Sequence, residues 1–305
     1  MRAVFTILPY GLLYLVFPFY LAGLSEKTKA FMAGRKGRPL LQPWHDFVKL
    51  LRKSQVKSNS ASALSAWAPL VSLAAVLTAG LLLPLAGHRA LPGFPGDIVL
   101  FAYLLALARF VMILNALDAG SSFEGMGAAR EAVFGLLGEA ILFMLLGTLT
   151  LFTGGSSFSD WPLIVQKSSA LGLPVALSGG FLLFVLLLLE GCRVPFDDPN
   201  THLELTMIHE VMILDNSGPD LAFLNYGGML KMAIFASLIA GLFGVPAGPW
   251  GALGVHFAIV SGVGVLLGLM ESVMARIRLQ ILPQLLLGVS GLAFVLFVTV
   301  LLGGN

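Results

Sequence analysis

The 305-residue sequence is 57% hydrophobic and only 11% charged, with a mean hydropathy of +0.92, which excludes a soluble domain and requires a polytopic membrane protein. The net charge of +2 decides little; the placement of the basic residues decides more. The single cysteine, Cys192, excludes an internal disulfide and any cysteine-ligated cluster or zinc site built by this chain alone.

Apolar runs of about 20 residues, the length that crosses a ~30 Å hydrocarbon core as a helix, occur eight times. They cover about 3–24, 64–85, 98–117, 132–153, 171–190, 220–243, 251–274 and 283–302. Backbone groups in lipid must be satisfied within the segment, so the expected fold is all-α: one integral membrane domain over 1–305, a polytopic transmembrane helical bundle. The opening Met-Arg, apolar run and Leu21-Ala22-Gly23 imitate a secretory leader. That run is too long for one, contains Pro9 and Pro18, and meets a basic loop, so a retained helix is expected.

Residues 25–61 hold nine Lys and Arg against only Glu26 and Asp46. This marks a cytoplasmic loop and removes the need for a nucleic-acid partner. Within it, residues 38–57 form an amphipathic interfacial segment, with Trp44, Phe47, Val48 and Leu51 at i, i+3, i+4, i+7 behind Pro43. The stripe fits an anchor on membrane lipid and equally a ledge for a cytoplasmic partner, with Trp44 and Phe47 as interface candidates. Alternation from this loop places Arg130, Arg193, Arg276 and Arg278 inside and only Arg2, Arg89 and Lys167 outside, so both termini are expected outside. The stretch 118–131 reads as a third short loop. Its GMGAAR has no preceding strand and is not a nucleotide fingerprint; its small residues suit close helix approach.

An ionisable group at mid-membrane costs about 2.5–3.5 kcal/mol, so Arg109, Glu139, Lys231 and Glu271 within predicted spans must be paired, hydrated or neutralised. Asp118 and Glu190 lie at helix ends. Counting at ~1.5 Å per residue puts Glu139 about 12 Å from the cytoplasmic side, Arg109 and Lys231 near the middle, and Glu190 towards the cytoplasmic face. Two readings stay open. One is a proton relay in the inner half of the bilayer, using Glu139, Glu190, Asp197, Asp198, Glu204, Glu271 and Asp118 with Arg109, Arg130, Arg193 and Lys231 as charge partners. The other is helix-packing ion pairs in which Arg109 and Lys231 neutralise Glu139 and Glu271.

The charged segment 190–219 opens EGCRVPFDDPNTHLELTMIHEVMILDNS. Pro195 and Pro199 stop the helix, and Thr201 with Glu204 can open another that carries His202, Glu204, His209 and Glu210. The histidines lack any recognised ligand spacing, so no metal is expected; interface hydrogen bonding suits His202, His209 and Glu210, and proton exchange is the other reading.

The pattern E-x-x-R-x-P-F-D from Glu190 to Asp197 resembles the membrane subunit that complex I (as NADH dehydrogenase subunit 1) shares with energy-converting membrane-bound nickel-iron hydrogenases. DDPNTHLELTMIHE and LDNSGPDLA resemble its hydrogenase branch, the formate hydrogenlyase subunit 4 and hydrogenase-4 component C type. The stretch leading to Glu139 resembles the family's second landmark. Glu139, Glu190, Arg193, Asp197 and Glu204 match family positions; Asp198, His202 and His209 match the hydrogenase branch alone. The resemblance implies a non-catalytic subunit that anchors a peripheral oxidoreductase module in the inner membrane and couples it to ion translocation. It implies no cofactor in this chain, with the nickel-iron centre and iron-sulfur clusters in hydrogenase large and small subunits, and antiporter-like membrane subunits alongside. Past Leu205 the likeness to the complex I branch loosens. A subunit bordering a quinone site is therefore one alternative, and a stand-alone ion transporter another.

Overall fold

The structure, a computed structural model, describes residues 2–57, 61–88, 90–161, 171–197, 207–243 and 248–303. Its described elements are helical: α1 (Arg2–Gly11), a π-helical turn Leu12–Val16, α2 (Phe17–Met32), α3 (Gln42–Leu51), α4 (Leu64–Leu81), α5 (Asp97–Asp118) and α6 (Ser122–Thr153). After a 3-10 turn at Phe158–Asp160 come α7 (Gly172–Glu190), α8 (His209–Met212), α9 (Gly218–Leu242), α10 (Pro249–Val273) and α11 (Leu282–Gly303). Eight segments are long and apolar enough to cross a bilayer. They coincide with the eight runs read from hydropathy, because in lipid a continuous apolar helix is the one element that leaves no backbone group unpaired.

Two boundaries move. The first span runs on to Met32, so Lys27 and Lys29 sit on helix and not in a loop. The fourth begins at Ser122, ten residues before its apolar run, which turns most of the expected loop 118–131 into helix. The chain reverses at Gly120 (φ +70°) and Ser121 is extended at the N-cap position; Gly127 then packs α6 against Val211 and Met212 of α8.

Helix α9 is the axis of the bundle and packs against α2, α3, α4, α7 and α10. Outside it, α5 joins α4 to α6, and α11 lies on α6. The amphipathic helix α3 has its aromatic stripe on the bundle: Trp44 meets Phe19 edge-on at 5.0 Å, and Phe47 lies 5.5 Å from Phe19 and 5.4 Å from Tyr226. Trp44 and Phe47 therefore fix α3 to α2 and α9, with Trp44 still 41% exposed.

The start of the charged segment does not lie out in water. Arg193, Val194, Phe196 and Asp197 are buried within the fold, and the chain is helical again from His209 to Met212. Asp198, His202 and Glu204, and the helix expected to open at Thr201, lie outside the described residues.

A buried ion network between four helices

Residues 131, 135 and 139 recur at i, i+4, i+8 and so share one face of α6. The middle one is a glycine. A Cβ there would lie 2.5 Å from Cδ and 2.6 Å from Nε of Arg109, so the bare backbone forms the notch in which that arginine crosses from α5. Its Nη1 donates to the Gly135 carbonyl at 3.2 Å. Above and below the notch are two carboxylates: Nε lies 3.3 Å from Glu131 Oε1, and Nη1 donates to Glu139. Nη2 donates to Glu190, the last residue of α7. Glu190 also accepts from Lys231 Nζ of α9 at 3.0 Å. One guanidinium and one ammonium thus bind α5, α6, α7 and α9 together.

The charges do not balance. Among the described residues, three carboxylates, Glu131, Glu139 and Glu190, share two cations, so their fully ionised network carries one excess negative charge. Arg109 and Glu190 are both nearly sealed from solvent, at 6% side-chain exposure. In such surroundings an uncompensated charge is costly.

A second network lies beside the first. Arg193, three residues after Glu190, donates from Nη1 to Glu271 of α10 at 3.3 Å and from Nε to the Met232 sulfur. Lys29 of α2 pairs with the same glutamate at 3.5 Å. Asp197 accepts from the backbone N–H groups of Ile208 and His209, both at 3.0 Å, and pairs with Arg276 at 3.1 Å. Arg130 donates to the Met207 carbonyl at 2.7 Å. Between α2, α3, α8, α9 and the turn 191–193 opens a cavity of about 330 Å³, lined by Phe47, Arg193, His209, Glu210 and Met232 among others. Burial, with Lys231 adding to it, holds the His209 imidazole down at about 4, and burial pushes the Cys192 thiol well above its ordinary range.

The sequence-derived candidates therefore separate. Arg109, Glu139, Glu190 and Lys231 meet in one network, and Arg193 and Glu271 in its neighbour. The expected pairing of Lys231 with Glu271 does not form: each has other partners, because Lys231 reaches α7 and Glu271 faces Arg193 and Lys29. Glu190, the last residue of α7, binds both Arg109 and Lys231. Asp118 lies apart and accepts from the N–H groups of Ser62 and Ser65, tying the end of α5 to the start of α4. Sequence reasoning missed Glu131 by assigning it to a loop. Its signal was the E-x3-G-x3-E spacing, together with Ser121 and Glu124 at capping-box distance upstream. Among the described residues, no group of three or more His, Cys, Asp or Glu has the arrangement to hold a metal ion.

Fold and network together define a multi-pass integral membrane protein with a cross-braced ion network between its spans. The NADH dehydrogenase family profile matches residues 5–302, and the chain belongs to that family, the subunit 1 group of complex I and related hydrogenases. It is 30% identical over 301 residues to formate hydrogenlyase subunit 4 of Escherichia coli K12, covering 92% of this chain and 93% of that one. To hydrogenase-4 component C of the same organism it is 31% identical over 228 residues, covering 72% and 69%. A chain in the structure of the membrane-bound sulfane sulfur reductase, an archaeal respiratory membrane complex, superposes with a TM-score of 0.82 over 98% of this chain and 99% of its own, at 18% identity. That likeness speaks for the fold.

Proposed function

We propose that the chain is the membrane anchor and proton-coupling subunit of a hydrogenase-type complex, seated beneath hydrogenase large and small subunits and beside antiporter-like membrane subunits. The observation that carries this reading is the excess carboxylate at Arg109. Three acids gathered on two cations hold one transferable proton in this reading, and Arg109, which touches all three, links the stations at Glu131, Glu139 and Glu190. The similarity to two hydrogenase components supports the peripheral partner. Positive charge around residues 25–61 supports a cytoplasmic docking face and both termini outside. In sealed vesicles that contain the whole complex, Glu139→Gln is expected to keep assembly and hydrogenase activity while ion movement per hydrogen falls. Arg193→Ala is expected to weaken attachment of the peripheral module, since it strips Glu271 of a partner. Full ion movement in Glu139→Gln would leave the network a structural brace.

The cavity of about 330 Å³ favours one second reading, a subunit that borders a quinone site: its walls join apolar Phe47 and Met232 to polar Arg193 and His209, as an amphipathic ring requires. Quinone-analogue inhibition that is lost in Phe47→Ala, with the hydrogenase reaction unchanged, would decide for that reading.

A further inference from the structure

A second cavity, an open cup of about 450 Å³, lies on the outside of the bundle where α2 ends, lined by Lys27, Thr28, Phe31, Arg35, Lys36 and Val265. Local geometry builds it. Gly34 takes φ +66°, its N–H bonds to the Phe31 carbonyl at 3.0 Å, and the Arg35 N–H bonds to the Ala30 carbonyl at 2.8 Å. This paired closure with a left-handed glycine is the Schellman motif. It folds Arg35 and Lys36 back beside the last turns of α2, next to Lys27. The neighbouring Lys29 is neutralised by Glu271, whereas no carboxylate among the described residues pairs with Lys27, Arg35 or Lys36. Below these cations the wall is apolar and outward-facing: Phe31 is 79% exposed, and Val265 and Leu266 of α10 are exposed beside it.

We propose that this cup binds one anionic phospholipid of the surrounding membrane, its phosphate held by Lys27, Arg35 and Lys36 and an acyl chain laid along Phe31 and Val265. Three unpaired cations at a helix end attract an anion, and the exposed apolar strip leading away from them suits a ligand that also carries hydrocarbon. Free phosphate satisfies the first feature alone.

The test uses the full chain with its accompanying subunits, purified in mild detergent and passed through discs of phosphatidylcholine doped with phosphatidylglycerol, with retained lipid counted by native mass spectrometry. One phosphatidylglycerol per chain is expected. Each basic residue near a membrane surface contributes about a fivefold factor in binding, so Lys27→Ser, Arg35→Ser and Lys36→Ser together are expected to weaken retention on the order of 100-fold. Lys49→Ser, Arg52→Ser and Lys53→Ser, which remove equal charge nearby, are expected to leave it unchanged. Val265→Trp, which fills the floor without altering charge, is expected to abolish retention and so supports the site independently of electrostatics. The proposal is overturned if the wild-type chain retains no phosphatidylglycerol, if both triple variants lose it equally, or if inorganic phosphate displaces it. It is also overturned if a cross-linker at Arg35→Cys captures a protein subunit.

Discussion

Replacing Arg109 by Met keeps a long flexible side chain in the Gly135 notch but leaves Lys231 alone against Glu131, Glu139 and Glu190. Removing one partner of a buried ion pair costs about 3–5 kcal/mol. Glu131, at the polar end of α6 with 18% of its side-chain surface exposed, can be hydrated and recovers part of its loss; Glu190, at 6%, bears most of it. We expect a destabilisation near the lower bound, about 3 kcal/mol, read as a drop on the order of 5 °C in the melting temperature of the detergent-solubilised protein. The deficit should be largest near pH 8 and narrow on acidification, because a protonated carboxylate needs no cation. Adding Glu190→Gln to Arg109→Met should recover at least half of the loss, since one of the stranded charges is then gone. An Arg109→Met protein that melts within about 1 °C of wild type near pH 8 would sink this account, since it would mean the network contributes nothing to stability.

Asp197→Ala strands the N–H groups of Ile208 and His209 and removes one partner of Arg276, at a cost of about 1–3 kcal/mol per unsatisfied buried donor; limited proteolysis in the 190–219 segment should accelerate well before the protein melts. His209 is neutral in the fold and ionises at about 4, below its value of about 6.5 in an open chain. The unfolded segment therefore binds the proton first, so local stability is intact above pH 6.5 and is lost as pH falls from there to about 4. Hydrogen exchange at residues 207–217 should speed up over that window in wild type and not in His209→Asn. Reporter fusions should place residues 25–57 in the cytoplasm and both termini outside; a cytoplasmic C-terminus would leave an odd number of crossings.

Hydropathy made the spans legible because lipid enforces one rule on every crossing segment. It misplaced the start of α6 for the same reason: Arg130 and Glu131 break the apolar run, and the contacts that hold a charged turn there, Glu131 to Arg109 and Arg130 to the Met207 carbonyl, are tertiary. The intramembrane charges were readable one by one from their cost. Their partners were not, since Arg109 and Glu190 are separated by 81 positions and nothing local in either helix announces the other. Gly135 shows the limit most clearly, because a glycine in a membrane helix reads as a small packing residue until the arginine it accommodates is known.

The length of α6 has a consequence for where the network lies. Its 32 residues make a rod about 48 Å long, too long for a ~30 Å hydrocarbon slab at the common tilt of about 20°. Roughly ten residues must overhang, and mismatch is relieved most cheaply at the polar end, Ser122 to Glu131, since the opposite end is apolar up to Phe152 and Thr153. Glu131 then stands at the water's edge while Glu139 lies two turns deeper in oil. The arginine that touches both lies across the steepest change of dielectric in the bilayer.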